Sequence, residues 1–271
     1  VLATAAPEWL ISFPEVTMLG VGEGEEVVRE VALRLSHGQD ISKISNLWIK
    51  LPNGSILRNP TRPYVDLDSY STDFSLFDKG RFERPMGGKI HCSLPIETYR
   101  GCPYRCTFCN SPMHNRMAKE CNQIFLRRKS IEVIRREIKH LADNYNVNLL
   151  SFVDDSFLAR PKREIEEFID MYKEFCIPFW FNTRPEDCML DILKKLKEVG
   201  LFRVSFGIES GDEDFRKTRL HRNISNKDLL HFFDIINKSG ITYSINYIIG
   251  FPFETRKIVF DTIRFAKRID G

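Results

Sequence analysis

Long apolar runs are missing from this sequence of 271 residues; none approaches the roughly 18 consecutive apolar residues of a membrane-spanning helix. A surplus of either charge is missing as well. Lys and Arg number 40 against 37 Asp and Glu, a net charge of +3 with the signs interspersed, which argues against a dedicated nucleic-acid scaffold. There is no internal repeat and no low-complexity tract. The opening residues, Val1 to Ala6, carry neither a basic flank nor a long apolar stretch and do not read as a signal peptide. An even, well-spread cysteine set of the kind that staples secreted domains is also lacking. The 7 cysteines are Cys92, Cys102, Cys106, Cys109, Cys121, Cys176 and Cys188, and three of them fall between positions 102 and 109. Such a cluster suggests metal ligation or catalysis in a reducing, cytoplasmic setting. With 42% hydrophobic and 28% charged residues, 15 Gly and 13 Pro, the chain is globular and long enough for one large or two modest domains.

The chain changes character along its length. Pro7 to Ser12 reads as a short helix and Val16 to Leu19 as a strand. An amphipathic helix is predicted from Glu25, with Val28, Val31 (or Ala32) and Leu35 facing inward and Gly38 as its stop. Leu47 to Leu57 reads as a hairpin, because Asn53-Gly54 supplies the positive φ angles of a tight turn. Asn59 to Gly88 shows no periodicity, and its later part, 67–88, reads as a linker. From Lys89 strand, loop and helix repeat: strands at Ile90–Glu97, Leu149–Val153, Pro178–Asn182, Arg203–Gly207 and Tyr243–Ile249 alternate with helical stripes. Ser130 is read as a helix N-cap, Gly200 and Gly240 as stops, and Thr255 as the cap of a last helix facing inward through Val259, Ile263 and Ala266. Alternation of this kind implies parallel pairing, an α/β fold with five βα units in barrel or open-sheet form, and chemistry at the carboxyl ends of the strands.

Tyr99-Arg100-Gly101-Cys102-Pro103-Tyr104-Arg105-Cys106-Thr107-Phe108-Cys109 follows the first of these strands directly. Three thiolates on one short loop can converge on a metal centre at small cost in chain ordering, and Arg100 and Arg105 are expected to favour the thiolate form. Structural zinc is the plain alternative. It needs a closed set of four ligands, and here the fourth has to come from His91, His114 or Cys121, none at a familiar spacing. Three ligands with one open position describe a reactive centre instead.

This CxxxCxxC run, with an aromatic residue before its last cysteine, resembles the cluster loop of the radical S-adenosylmethionine (radical SAM) superfamily. The resemblance implies a 4Fe–4S cluster held by Cys102, Cys106 and Cys109, with S-adenosylmethionine on the remaining iron and Phe108 beside its adenine. Later segments are similar to family motifs in the same order. Asp154-Asp155-Ser156-Phe157 stands where many relatives have Gly-Gly-Glu, and the resemblance gives Asp154 and Asp155 the ammonium group of S-adenosylmethionine. A plain helix-terminal role for the two acids is the alternative. Glu209 and Ser210 fall in the ribose-contacting motif, and Gly250 in the segment whose backbone approaches the adenine. Trp180, Asn182 and Arg184 close the third strand as pocket-lining residues, and Arg222 receives no role. His114 is read as a loop histidine. The basic run Arg127-Arg128-Lys129, with Arg135 and Arg136, is read as a solvated helix face or as a docking patch for an acidic electron donor such as flavodoxin or ferredoxin.

Gly20-Val21-Gly22-Glu23-Gly24-Glu25-Glu26 fails the dinucleotide-binding GxGxxG spacing, and its glutamates oppose a pyrophosphate. It looks like the Gly-Glu-Gly-Glu segment near the end of cobalamin-binding domains fused to radical SAM barrels, and Ala3–Glu8, Asn59–Pro63 and Asp66–Asp68 match the same subgroup. The resemblance therefore implies the C-terminal part of a Rossmann-like cobalamin-binding domain over 1–66, a linker over 67–88, and a partial (β/α) radical SAM barrel over 89–271. Family barrels commonly have six units, so the chain reads as a fragment lacking sequence at both ends. The implied activity is reductive cleavage of S-adenosylmethionine to start radical chemistry on a small-molecule or natural-product substrate, in this subgroup as cobalamin-dependent methyl transfer, cyclisation or related C–H functionalisation. An RNA-modifying enzyme similar to the methylthiotransferases, and a zinc-stabilised binding module, stay open as alternatives.

Overall fold

A computed structural model describes residues 1–269. They fall into two units, one made of Val1–Ser69 with Phe108–Phe125 and the other of Tyr70–Thr107 with the chain from Leu126 onward. The first unit contains α1 (Leu2–Ala5), α2 (Pro7–Ser12), β1 (Met18–Gly20), α3 (Glu25–Ser36), β2 (Leu47–Lys50), β3 (Ile56–Arg58) and α4 (Ser111–Glu120). Its three strands pair antiparallel in the order β1-β2-β3, and Gly54 makes the β2–β3 turn at φ +81°. The α3 face differs from the expected one. Val27 is buried against Ile44 and Leu47, with Val31 packed beside them, while Val28 and Leu35 are exposed. Two apolar stripes about 100° apart compete on this helix. Glu30, one turn from Val27, settles the phase by pairing with Arg62 at 2.7 Å.

The segments that carry the cobalamin-domain resemblance knit this unit together. Gly22, at φ +97°, donates its N–H to Thr4 Oγ1 at 3.0 Å, and Val65 N–H donates to the buried Glu23 carboxylate at 2.9 Å. Helix α4 belongs to the same frame. Tyr64 Oη donates to the His114 carbonyl at 2.9 Å, and the His114 ring stacks on Phe125 with centroids 4.9 Å apart. His114 is thus a buried helix residue rather than a loop histidine.

The second unit is built on a six-stranded sheet. Its elements are β4 (Glu83–Met86), β5 (Lys89–Ile96), β6 (Tyr99–Arg100), β7 (Arg127–Arg128), α5 (Ile131–Asn144), β8 (Leu149–Phe152), α6 (Lys162–Tyr172), β9 (Phe179–Thr183), α7 (Leu190–Glu198), β10 (Leu201–Glu209), α8 (Glu213–Thr218), α9 (Asn226–Ser239), β11 (Thr242–Tyr247) and α10 (Arg256–Ala266). The strand order is β11-β10-β9-β8-β5-β4. The five expected strands run parallel, and β4 adds antiparallel to the edge beside β5. That edge strand, and the burial of Phe74 and Phe82 in the main core, come from the stretch that showed no periodicity. Leu149, Leu150, Phe152, Phe179 and Phe181 are wholly buried, as strands covered on both faces require. Ser130, Ser225 and Thr255 cap their helices through the side-chain oxygen, and α9 ends at Gly240 in the left-handed conformation. Helix α10 turns Thr262 and Phe265 inward and leaves Ile263 exposed, because Thr262 Oγ1 accepts the Gly211 N–H at 2.9 Å and phases the helix on the end of β10.

Candidate functional site

Parallel pairing brings the carboxyl ends of β5, β8, β9, β10 and β11 to one edge, and the cysteine loop leaves β5 there. The loop is pinned to three of the neighbouring strand ends. After β8, Asp154 accepts the N–H groups of Thr98 and Tyr99 at 2.7 and 3.0 Å, and Asp155 accepts that of Gly101 at 3.0 Å. After β9, Asp187 accepts the Tyr104 hydroxyl, while Arg184 lies over the Tyr104 ring with its guanidinium carbon 3.6 Å from the centroid. In the chain beyond β10, the carbonyls of Arg219 and Leu220 accept Thr107 Oγ1 at 2.7 Å and Thr107 N–H at 3.3 Å. Gly101, at φ +105°, makes the turn into Cys102.

The Asp-Asp-Ser-Phe run has one task per residue. Asp154 is buried and turned toward the loop, whereas Asp155 stands exposed at the open edge with a single hydrogen bond. Desolvation by its surroundings still pushes the Asp155 carboxyl up. Ser156 is buried, with Oγ 3.2 Å from Thr183 Oγ1 and donating to Asp187 at 3.3 Å. Phe157 is fully buried and stacks on Phe181 with centroids 4.3 Å apart, anchoring the run in the core.

At the end of β10 the register with β11 breaks between Gly207 and Glu209, and Glu209 adopts φ +70°. A break of this kind re-aims a side chain. The Glu209 carboxylate accepts from Arg222 at 2.9 Å, and Arg222 also donates to the Gly207 carbonyl at 2.7 Å. Burial pushes the Glu209 carboxyl up against the pull of Arg222 and Arg184, and the same burial, joined by the like charge of Arg184, pushes the Arg222 guanidinium down. Arg222 is also within electrostatic reach of Cys106. Sequence reasoning gave Arg222 no role; its one signal was its place in the chain. Ser210 is fully buried, its hydroxyl 3.4 Å from Thr262 Oγ1 and its carbonyl accepting from Arg216 at 2.7 Å, so it holds the turn rather than facing outward. Gly250, at φ +99°, donates its N–H to Glu254 at 2.6 Å and has open space where a Cβ would point.

Cys102 and Cys106 are half-buried in the sheet-bearing unit, while Phe108, 40% exposed, and Cys109 belong to the other. Three thiols on one loop are a soft donor set that fits an iron–sulfur cluster in kind. Arg222 lies within electrostatic reach of Cys106, and the Ser111 N–H donates to Cys109 Sγ at 3.5 Å at the start of α4. The Arg100 guanidinium makes two 2.8 Å bonds to Glu97. Among the described residues, no group of three or more His, Cys, Asp or Glu side chains is drawn together as a bound ion would draw them. Cys121, one option for a fourth zinc ligand, donates its thiol to the Arg62 carbonyl at 3.6 Å instead. Within the basic run, Arg128 pairs with Glu167 at 2.9 Å, Arg135 with Glu174 at 3.0 Å, and buried Lys129 with Glu137 at 2.7 Å.

A parallel α/β sheet with a three-cysteine loop tied to its strand ends is the architecture of a partial (β/α) barrel carrying a soft donor loop. The chain belongs to the radical SAM superfamily, whose family model matches residues 96–266. The family's chemistry rests on a 4Fe–4S cluster and S-adenosylmethionine. A relative described as an uncharacterised methyltransferase of Pyrococcus horikoshii is 30% identical over 255 residues, which is 92% of this chain and 52% of that protein. The chain thus spans about half the length of that relative. Two solved structures share the fold. The cobalamin-dependent S-adenosylmethionine radical enzyme OxsB, with aqua-cobalamin and S-adenosylmethionine bound, aligns with a TM-score of 0.71 at 17% identity, over 98% of this chain and 38% of that one. The radical S-adenosylmethionine methyltransferase TsrM from Kitasatospora setae, with cobalamin and a [4Fe-4S] cluster bound, aligns with a TM-score of 0.68 at 17% identity, over 98% and 51%. Among the described residues no helix is long and apolar enough to cross a membrane.

Proposed function

We propose that this chain is the cofactor-bearing part of a cobalamin-dependent radical SAM enzyme that transfers a methyl group, or carries out a related C–H functionalisation, on a small-molecule or natural-product substrate. The observation that carries this reading is the cysteine loop tied to the ends of β8 and β9 and to the chain beyond β10, beside two carboxylates, Asp155 and Glu209. Relatives described as methyltransferases, and the cobalamin bound in the OxsB and TsrM structures, support it. In this reading residues 1–66 are the end of a cobalamin-binding domain, 67–88 a linker and 89–271 the radical SAM core. Electrons come from a flavodoxin- or ferredoxin-type donor in the cytoplasm.

Cys102, Cys106 and Cys109 hold the cluster. When bound, the cluster and S-adenosylmethionine supply the one-electron cleavage that starts radical chemistry. The chain's own groups bind and orient. Asp155 offers its open carboxylate oxygen to the ammonium, Glu209 accepts from the ribose hydroxyls, and Phe108 and the Gly250 backbone flank the adenine. Asp154 and Ser210 support these groups from behind. Replacing Cys102, Cys106 or Cys109 by Ala is expected to abolish iron and sulfide uptake on anaerobic reconstitution. Unchanged iron content in all three variants overturns the reading. Cobalamin retention by the full-length protein tests the subgroup.

A further inference from the structure

We infer that Asp154 is a positioning residue for the cysteine loop, working with Arg160 as a buried clamp, and that the adjacent Asp155 alone of the two faces the ligand. The inference rests on the cluster-binding reading above. An ionised carboxylate has about four acceptor sites, and those of Asp154 are all in use. One oxygen accepts Thr98 N–H at 2.7 Å and Tyr99 N–H at 3.0 Å. The other accepts Thr98 Oγ1 at 2.5 Å and the Arg160 guanidinium. Arg160 closes the ring by donating to Thr98 Oγ1 at 3.0 Å, with its guanidinium carbon 4.4 Å from the Phe157 ring centroid and 4.8 Å from that of Tyr99. The two charged side chains are 1% and 4% exposed. No acceptor site is left on Asp154 for an incoming ammonium group, and no solvent-facing surface either.

The clamp acts where the chain leaves the sheet. Strand β5 ends at Ile96, and beyond it Asp154 takes the N–H groups of Thr98 and Tyr99 and Asp155 that of Gly101. The Thr98 carbonyl is taken by Lys129 N–H at 3.0 Å. The path into Cys102 is thereby set by a carboxylate that touches no ligand. A neutral amide in its place presents a donor where the four donors to Asp154 converge.

The test compares Asp154→Asn, Asp155→Asn, Thr98→Val and Thr98→Ser with the wild-type chain. In protein without cluster, Asp154→Asn is expected to speed amide hydrogen exchange at 98–101 by about tenfold or more, the scale of a lost charge-assisted hydrogen bond, while the amides of β8 and β9 stay protected. After reconstitution it should bind several-fold less iron, with the surviving clusters keeping wild-type affinity for S-adenosylmethionine. Thr98→Val should show the same pattern more weakly, and Thr98→Ser should behave as wild type. Asp155→Asn should keep its iron and bind S-adenosylmethionine more weakly. If Asp154→Asn does not fold, Thr98→Val carries the comparison, since it leaves the ion pair in place. Wild-type exchange and iron content in Thr98→Val, or full iron with weakened S-adenosylmethionine binding in Asp154→Asn, overturns the inference. A wild-type chain that takes up no iron defeats the cluster reading instead, and the exchange data on cluster-free protein still decide the clamp.

Discussion

The Arg222 guanidinium sits 2.9 Å from the Glu209 carboxylate in a pair almost closed to solvent, with side chains 4% and 13% exposed. Removing one partner of such a pair strands the other charge. Arg222→Met is therefore expected to destabilise the protein by about 3–5 kcal/mol, measured by urea denaturation. Arg222→Lys should lose less, because it keeps the charge but not the second bond to the Gly207 carbonyl. A loss in Arg222→Met within experimental error of zero contradicts the buried-pair assignment.

Burial raises the Glu209 carboxyl above its ordinary value, and this sets the sign of a pH effect. Where the folded state holds the extra proton, stability falls as pH rises. The contribution is complete below the unfolded-state value of about 4.3 and is lost as pH climbs through the raised native one. The Tm of wild type minus that of Glu209→Gln should shrink between pH 4 and 8. A difference that is flat or grows over that range is the contrary result.

Two glycines at the end of β10 resist a methyl group for different reasons. A Cβ on Gly211 would lie 2.6 Å from Thr262 Cα and 2.7 Å from Phe265 Cβ, so helix α10 has to move. A Cβ on Gly207 would overlap Glu209 Oε1, the mobile end of a side chain. Gly211→Ala is expected to cost about 1–3 kcal/mol of stability. Gly207→Ala should cost less and weaken S-adenosylmethionine binding more. Thermal melts and equilibrium binding separate the two.

Tyr104 ties the middle of the cysteine loop to Asp187, whose carboxyl is itself pushed up by burial. Tyr104→Phe leaves the ring under Arg184 and removes the hydroxyl. About 1–3 kcal/mol of stability should go with it, the cost of a buried acceptor left short of a donor. Hydrogen exchange should rise between Gly101 and Cys106. Unchanged exchange there indicates that the loop does not depend on this tether.

The cysteine spacing, the strand–helix alternation and the caps at Ser130 and Thr255 were legible along the chain because each is a local pattern, decided within one turn or one loop. Which apolar stripe of α3 or α10 turns inward was not, since adjacent stripes differ by a fraction of a turn and Arg62 or Gly211 makes the choice from elsewhere. Strand β4 showed no periodicity because it is a short edge strand carrying Pro85. The roles of Arg222 and Asp154, and the pairing of Arg100 with Glu97, depend on partners met only in the fold. Chain order alone thus specified the kind of chemistry, which resides in residue types and their spacing. Folding assigned the individual duties, because burial and hydrogen-bond saturation arise only when distant segments meet.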